Sequence, residues 1–230
     1  MFTRLLPIYL LIFSGFAYSA EGNRPASFLY EESEKQLVNL IRYPKDIKGK
    51  VALVLNCVSR VQPSGKMKDT GCLTENQYEQ TFTSQVIKAG KRARMVPALI
   101  DGKAYEIYLQ FRVEFAAEKD EKLVRLYPNT GYEENVLEYG FHYTAGQRAI
   151  GKKEPWNDAC PSRAKYTVWA RSYLGEDGKA DSPTIEFGQG LRPIASCLDA
   201  IKQTIVNSKY TPAMSEGEFV PSVYIEIFGN

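Results

Sequence analysis

The chain has 230 residues, with 29 Lys and Arg against 27 Asp and Glu, a single His, and 44% hydrophobic residues. A net charge of +2 over that length leaves no basic footprint for nucleic acid, and the short basic run at 88–94 reads as a solvated helix end. The length suits one larger domain or two of about 100 residues.

Residues 1–20 carry one charge at Arg4, an apolar run from Leu5 broken by Pro7, and small residues at Ala17, Ser19 and Ala20. This layout predicts a secretory signal peptide cleaved near Ser19 or Ala20. The run is shorter than the roughly 17 to 25 residues that a spanning helix needs, so no stable membrane insertion is expected after cleavage. The four cysteines of an exported chain then predict two disulfides.

Residues 27–43 predict a helix ending before Pro44. From Val51 the apolar residues alternate, with Val51, Leu53, Leu55 and Cys57 on one face. The turn signal Ser64-Gly65 closes a hairpin, and a two-residue loop sets Cys57 opposite Cys72. That register predicts the Cys57–Cys72 bridge. Thr74 and Gln77 stand at capping-box spacing before a helical stripe of Tyr78, Phe82, Val86 and Ala89. The run 104–115 alternates as a strand, placing Tyr105, Ile107, Leu109, Phe111 and Val113 on one face.

Residues 116–132 are charged and turn-rich and predict a linker, and 133–150 predict a further helix weakened by Gly140 and Gly146. The hairpin signal then returns. Asp177-Gly178 lies 113 positions after Ser64-Gly65, with Val168 and Ala170 on a core face, Trp169 and Tyr173 on the other, and Ile185 opposite Ala170. Trp169 and Tyr173 are expected either to be exposed on the sheet, as a stacking surface for a ligand, or to be covered by the other half of the chain, the second being favoured. A helix beginning near Ser196 presents Leu198, Ile201 and Ile205. Pro97, Ala98 and Gly102 recur as Pro212, Ala213 and Gly217, and 219–228 forms a last strand confined to an edge by Pro221. The remaining cysteines, Cys160 and Cys197, pair by elimination.

The predicted fold class is α+β, with two copies of a strand-strand-helix-strand unit, each a three-stranded antiparallel sheet with a helix on one face. The expected domains are a signal peptide at 1–20, a first unit with its N-terminal helix at 21–115, a linker and helix at 116–155, and a second unit at 156–230.

The stretches "RYPKDIKGKVALVL" and "VPALIDGKAYEIYLQFRVEF", with "AKYTVWARSYLGEDGK" and "YTPAMSEGEFVPSVYIEIF" in the second half, resemble the TonB carboxy-terminal domain. The resemblance implies that an extended peptide of an envelope or outer-membrane protein adds to the free edge of the last strand. Carried over by position, the partner-binding candidates are Tyr105, Ile107, Leu109, Phe111 and Val113, with Val223 and Ile225 in the second copy. Pro221 blunts the second edge, which favours the first. An energy-transducing member keeps a membrane helix and a long proline-rich spacer, whereas residues 21–43 hold only Pro25.

No catalytic, cofactor or metal set is legible. His142 is the only histidine and has no companion for a metal site or a nucleophile triad. "GEDGKAD" lacks the acidic spacing of a calcium loop and reads as a polar turn. The sequence therefore predicts a periplasmic, non-catalytic protein-binding or scaffolding module. A component of a TonB-like energy transducer stands as the alternative, followed by an envelope hydrolase or carbohydrate-binding protein.

Overall fold

The computed structural model describes residues 22–119, 121–160, 166–190 and 194–229; the expected signal peptide lies outside them. The fold is mixed α+β with several antiparallel sheets. Among the described residues no helix is long and apolar enough to cross a membrane.

Strand β1 (Val51–Val61) and β2 (Met67–Cys72) form the first hairpin, followed by helix α1 (Gln77–Gly90) and strand β3 (Ile107–Glu118). β1 lies between β2 and β3, pairing antiparallel with both. The odd-numbered residues of β1 and β3 face α1, and Leu55, Phe111, Val113 and Phe115 pack with Phe82 and Val86 in a single core. Phe82 and Phe115 have ring centroids 4.8 Å apart. Burying such a side chain contributes roughly 1.5 to 3 kcal/mol, so this face fixes the register. The helix cap differs from the expected Thr74–Gln77 box. Asn76 is the N-cap, its side chain accepts from Glu79 N–H, and the Glu79 carboxylate accepts from Glu75 N–H. The polar pair at the correct phase of the apolar stripe wins.

The hairpin register is as expected at the cysteines, through two offsetting departures. The loop holds three residues, Pro63, Ser64 and Gly65, with Gly65 N–H donating to Gln62 O. A bulge then shifts the pairing between Val58 and Arg60, where Asp69 takes φ 50°. One extra residue in the loop and one in the bulge restore Cys57 opposite Cys72, and the disulfide forms there.

The residues after β3 differ most from expectation. In place of a linker, strand β4 (Glu121–Tyr127) turns back on β3 and pairs with 112–118. The helix expected at 133–150 is only α2 (Glu133–Tyr139), ended by Gly140 at φ 77°, and strand β5 (Gln147–Ala149) pairs with β3 at 107–108. The helix expected over 27–43 is likewise a single turn, Leu37–Leu40, while Ser27–Phe28 pairs with Met95–Val96.

In the second half, β6 (Tyr166–Leu174) and β7 (Ala180–Gly190) form a hairpin, followed by helix α3 (Ala195–Asn207), short strand β8 (Tyr210–Thr211) and strand β9 (Ser222–Gly229). β6 lies between β7 and β9, and the order β7-β6-β9 makes a three-stranded sheet. Val168, Ala170, Tyr224 and Phe228 face Ile201 and Ile205 of α3. Cys160 and Cys197 are joined as expected. The hairpin repeats both irregularities of the first: a three-residue loop closed by Gly178 N–H to Gly175 O, and a bulge at Ser182 with φ 52°.

The first sheet has six strands because the second half completes it. β8 pairs with β5, which pairs with β3, and Thr144 forms a further bridge with Met214. Ion pairs Arg171–Glu134 and Lys209–Asp101 span the halves at the surface, where such pairs contribute little.

Candidate functional site

A strand edge is a site when its outward main-chain groups lack partners. β3 meets that condition at most over 109–111. β1 covers one side for its whole length, while β4 and β5 cover the other at 112–118 and 107–108. Ile107, Leu109, Phe111 and Val113 are core side chains, each at most 1% exposed. Tyr105 packs against the same core. Its own chain thus occupies the expected binding edge of the first unit except at 109–111, which neither β4 nor β5 pairs. The alternation of 104–115 marks a buried face correctly but says nothing about which strands flank it.

β9 is an edge strand of the second sheet, as β7 is on the other side, and Pro221 stands just before β9 rather than within it. The even residues Ser222, Tyr224, Glu226 and Phe228 are buried, and Val223, Ile225 and Ile227 are half-exposed. Main-chain direction follows the same alternation, since the ladder with β6 runs from Ser222 to Gly229 without a shift. Outward groups belong to the odd residues. Asn135 of α2 caps the first of them as another strand would: Val223 N–H donates to Asn135 Oδ1 at 2.9 Å, and Asn135 Nδ2 donates to Val223 O at 2.8 Å. Tyr139 Oη donates to Pro221 O, and Gln110 Nε2 of β3 donates to Ile225 O.

Beyond that carbonyl the capping stops. Among the described residues, the outward groups of Ile227 meet no donor or acceptor. They open on a groove of about 460 Å³ between the two sheets, walled by Val58, Leu73, Tyr108, Trp169, Ile225 and Ile227. Leu73 is 49% exposed and Trp169 39%. Trp169 therefore partly faces the other half across this groove, and Tyr173 remains exposed. Of the seven predicted partner residues, Phe111 and Ile225 line the groove, and of these Ile225 is the one on the edge strand β9; Val223 is capped by Asn135. Ile227, Gln110 and Asn135 escaped the sequence reading, because an amide that caps a distant strand carries no local signal.

The opposite side of β9 borders a polar cavity of about 490 Å³ that includes Arg60, Asp69, Lys152 and the buried cluster of Arg148, Glu154 and Glu226. Arg148, 2% exposed, lies between the two carboxylates. Its Nε and Nη2 donate to Glu226 at 2.7 and 2.8 Å, and its Nη1 and Nη2 donate to Glu154 at 2.5 and 3.2 Å. Ser208 Oγ accepts at 3.4 Å, so all five guanidinium donors are engaged. Tyr224 Oη donates to Glu226, and Trp156 Nε1 donates to Glu154.

Burial opposes the Arg148 charge, but Glu226, together with Tyr224 and Glu154, outweighs it and raises the guanidinium pKa further. Burial would raise the Glu154 carboxyl as well, yet the Arg148 hydrogen bond and charge hold it below its usual range. Burial first, and Glu226 second, push the Tyr108 and Tyr224 hydroxyls up. The cluster pins β9 to β5 and thereby fixes the groove. Its one legible trace is Glu226 at an inward position of the strand "VYIEIF".

His142 is exposed, its ring 5.6 Å from that of Tyr127. No group of His, Cys, Asp and Glu among the described residues has the geometry to hold a metal ion. Comparison with protein-family models, curated proteins and solved structures gives no match.

Proposed function

We propose that this chain is a periplasmic binding module built by duplication of a strand-strand-helix-strand unit, and that it binds an extended segment of an envelope protein on the open part of β9. The observation that carries the reading is the end of β9 beyond the Ile225 carbonyl, where the outward main-chain groups of Ile227 stand unpaired beside an apolar groove. A strand laid there would satisfy those groups and bury Leu73 and Trp169 together.

The duplication is supported by matched irregularities. Gly65 and Gly178 share φ 75°, the bulges at Asp69 and Ser182 follow at the same interval, and the turns Asp101-Gly102 and Glu216-Gly217 both have positive φ. A Cβ on Gly65 would overlap the Met95 carbonyl oxygen, and one on Gly178 would lie 2.9 Å from that of Tyr210. Bulges and left-handed turns are costly to place, so their recurrence in order favours a common origin. The resemblance to the TonB carboxy-terminal domain puts peptide addition on the last strand of a unit, which in the second half is β9. Two disulfides suit export to an oxidising compartment.

The test is selection of linear ten-residue peptides from a random phage-displayed library, with Ile227→Pro as the blocked control. Position 227 points its N–H away from β6, so proline removes an outward donor without breaking the ladder. One lost bond, with its partner left unsatisfied, costs roughly 1 to 3 kcal/mol, tenfold or more in affinity. Peptides selected by the wild type and weakened at least tenfold by Ile227→Pro support the reading. Selection of none, or equal binding to a folded control, overturns it.

A further inference from the structure

Resting on strand addition at β9, we infer that the bound segment is recognised by one large uncharged side chain, seated in the groove over Gly71 of β2. Main-chain pairing alone is short here. Asn135 caps Val223 and Gln110 holds the Ile225 carbonyl, which leaves the end of β9 from Ile227 onward. A few backbone bonds, each of modest net strength, do not offset the ordering of a free segment. Affinity therefore has to come from an apolar side chain buried beside them.

The groove has room for such a side chain because a glycine stands in its wall. Gly71 pairs with Val58 in the hairpin ladder, and both line the groove. Its φ lies outside the left-handed region, so the backbone does not demand glycine at 71. A Cβ built there would meet no heavy atom within 4 Å beyond its chain neighbours. Glycine inside a strand weakens it, and it commonly marks a bulge or the close approach of a ligand or another backbone. The bulge in this hairpin is carried by Asp69 at φ 50°, which leaves close approach as the reason for Gly71. Leu73 and Trp169 wall the same space and are the exposed apolar surface that an entering side chain would cover.

The character of the side chain follows from the walls. Among the described residues no Asp, Glu, Lys, Arg or His lines the groove, and its polar side chains are neutral amides and hydroxyls. A charged group placed there would lose water and gain no counter-charge. Successive residues of an added strand point to opposite faces of the sheet, so a residue presented to the groove has neighbours that face the polar cavity on the other side of β9. That second face adds little discrimination, because Arg60 is matched by Asp69 and Glu106, and Arg148 by Glu154 and Glu226. Selection therefore rests on the groove.

The test uses fluorescently labelled seven-residue threonine peptides with Phe, Ala, Lys or Glu at the centre. Fluorescence polarisation is read with wild type, Ile227→Pro, Gly71→Leu and Trp169→Ala. Gly71→Leu fills the groove from its own wall, where a Cβ meets open space, and Trp169→Ala removes another wall. The expected result is that the Phe peptide binds the wild type about tenfold tighter than the other three, and that Ile227→Pro weakens it by a similar factor. Its margin should fall below about threefold in Gly71→Leu and narrow in Trp169→Ala. Equal affinities for all four peptides that are still weakened by Ile227→Pro, or a Lys or Glu peptide that matches Phe, would overturn the anchor while leaving strand addition standing. A Phe margin that survives both Gly71→Leu and Trp169→Ala would put the side chain elsewhere and overturn the inference. Absence of binding by every peptide, or binding indifferent to Ile227→Pro, would overturn strand addition and the anchor with it.

Discussion

Replacing Arg148 with Met keeps volume and removes the one cation between two buried carboxylates. Glu154 and Glu226 are 7% and 3% exposed, and each accepts two hydrogen bonds from this guanidinium. Breaking a buried ion pair on one side costs about 3 to 5 kcal/mol, a large share of the roughly 5 to 15 kcal/mol that holds a domain folded. At about 2 to 4 °C per kcal/mol for a chain of this size, Tm falls by roughly 6 to 20 °C. The pH dependence identifies the cause. In the wild type the Glu154 pKa is depressed in the folded state, so its contribution is complete above the unfolded value of about 4.5 and is lost as pH falls through the folded value. In Arg148→Met the Glu154 carboxyl loses the group that lowered it. Burial then raises its folded pKa, and its protonation in acid favours the folded state. The gap between the two proteins in urea unfolding should therefore be widest at pH 7 and shrink toward pH 4. Adding Glu154→Gln and Glu226→Gln should recover most of the loss at pH 7. A loss below about 1 kcal/mol at pH 7, or one that does not narrow in acid, would refute the pinning role of the cluster.

Gly65→Ala should destabilise by at least the roughly 1 to 2 kcal/mol of a left-handed residue, because φ is 75° and the Met95 carbonyl blocks the Cβ; Gly178→Ala should behave alike, and chemical denaturation checks both. Replacing Cys57 and Cys72 by Ala should cost about 3 kcal/mol for a loop of separation 15, and replacing Cys160 and Cys197 slightly more for separation 37. Asn135→Ala uncaps both outward groups of Val223 and should lower stability by about 1 to 3 kcal/mol. The same variant should lengthen the peptide footprint toward Pro221, read from the minimal length of selected peptides that binds.

What the sequence discloses here is local, and what it hides is which edges meet. Alternation in β1 and β6 gives the core faces because burial on one side of a pleat has period two. The turn glycines locate both hairpins, and the Cys57–Cys72 pairing emerges even though loop length and bulge were each one residue off. β4 was invisible because "EKLVRLY" alternates weakly and is rich in charge, as suits a strand with a wet face. It covers 112–118 of β3, the larger part of the edge expected to be free. Pro221 misled for a related reason: a proline blunts an edge only inside the ladder, and here it stands at the entry to β9. Asn135 and Gln110 act through space on β9, so no spacing rule reaches them.

The most direct test of the open edge needs no partner at first: residue-resolved amide hydrogen exchange along β9, before and after adding a selected peptide. In the free protein, Glu226 and Phe228, bonded to β6, should exchange slowly, and Ile227 should exchange fast. With peptide bound, the Ile227 amide should become slow while the amides of β3 stay unchanged. Protection of Ile227 in the free protein, or peptide-induced protection that falls elsewhere and spares Ile227, would contradict strand addition at β9.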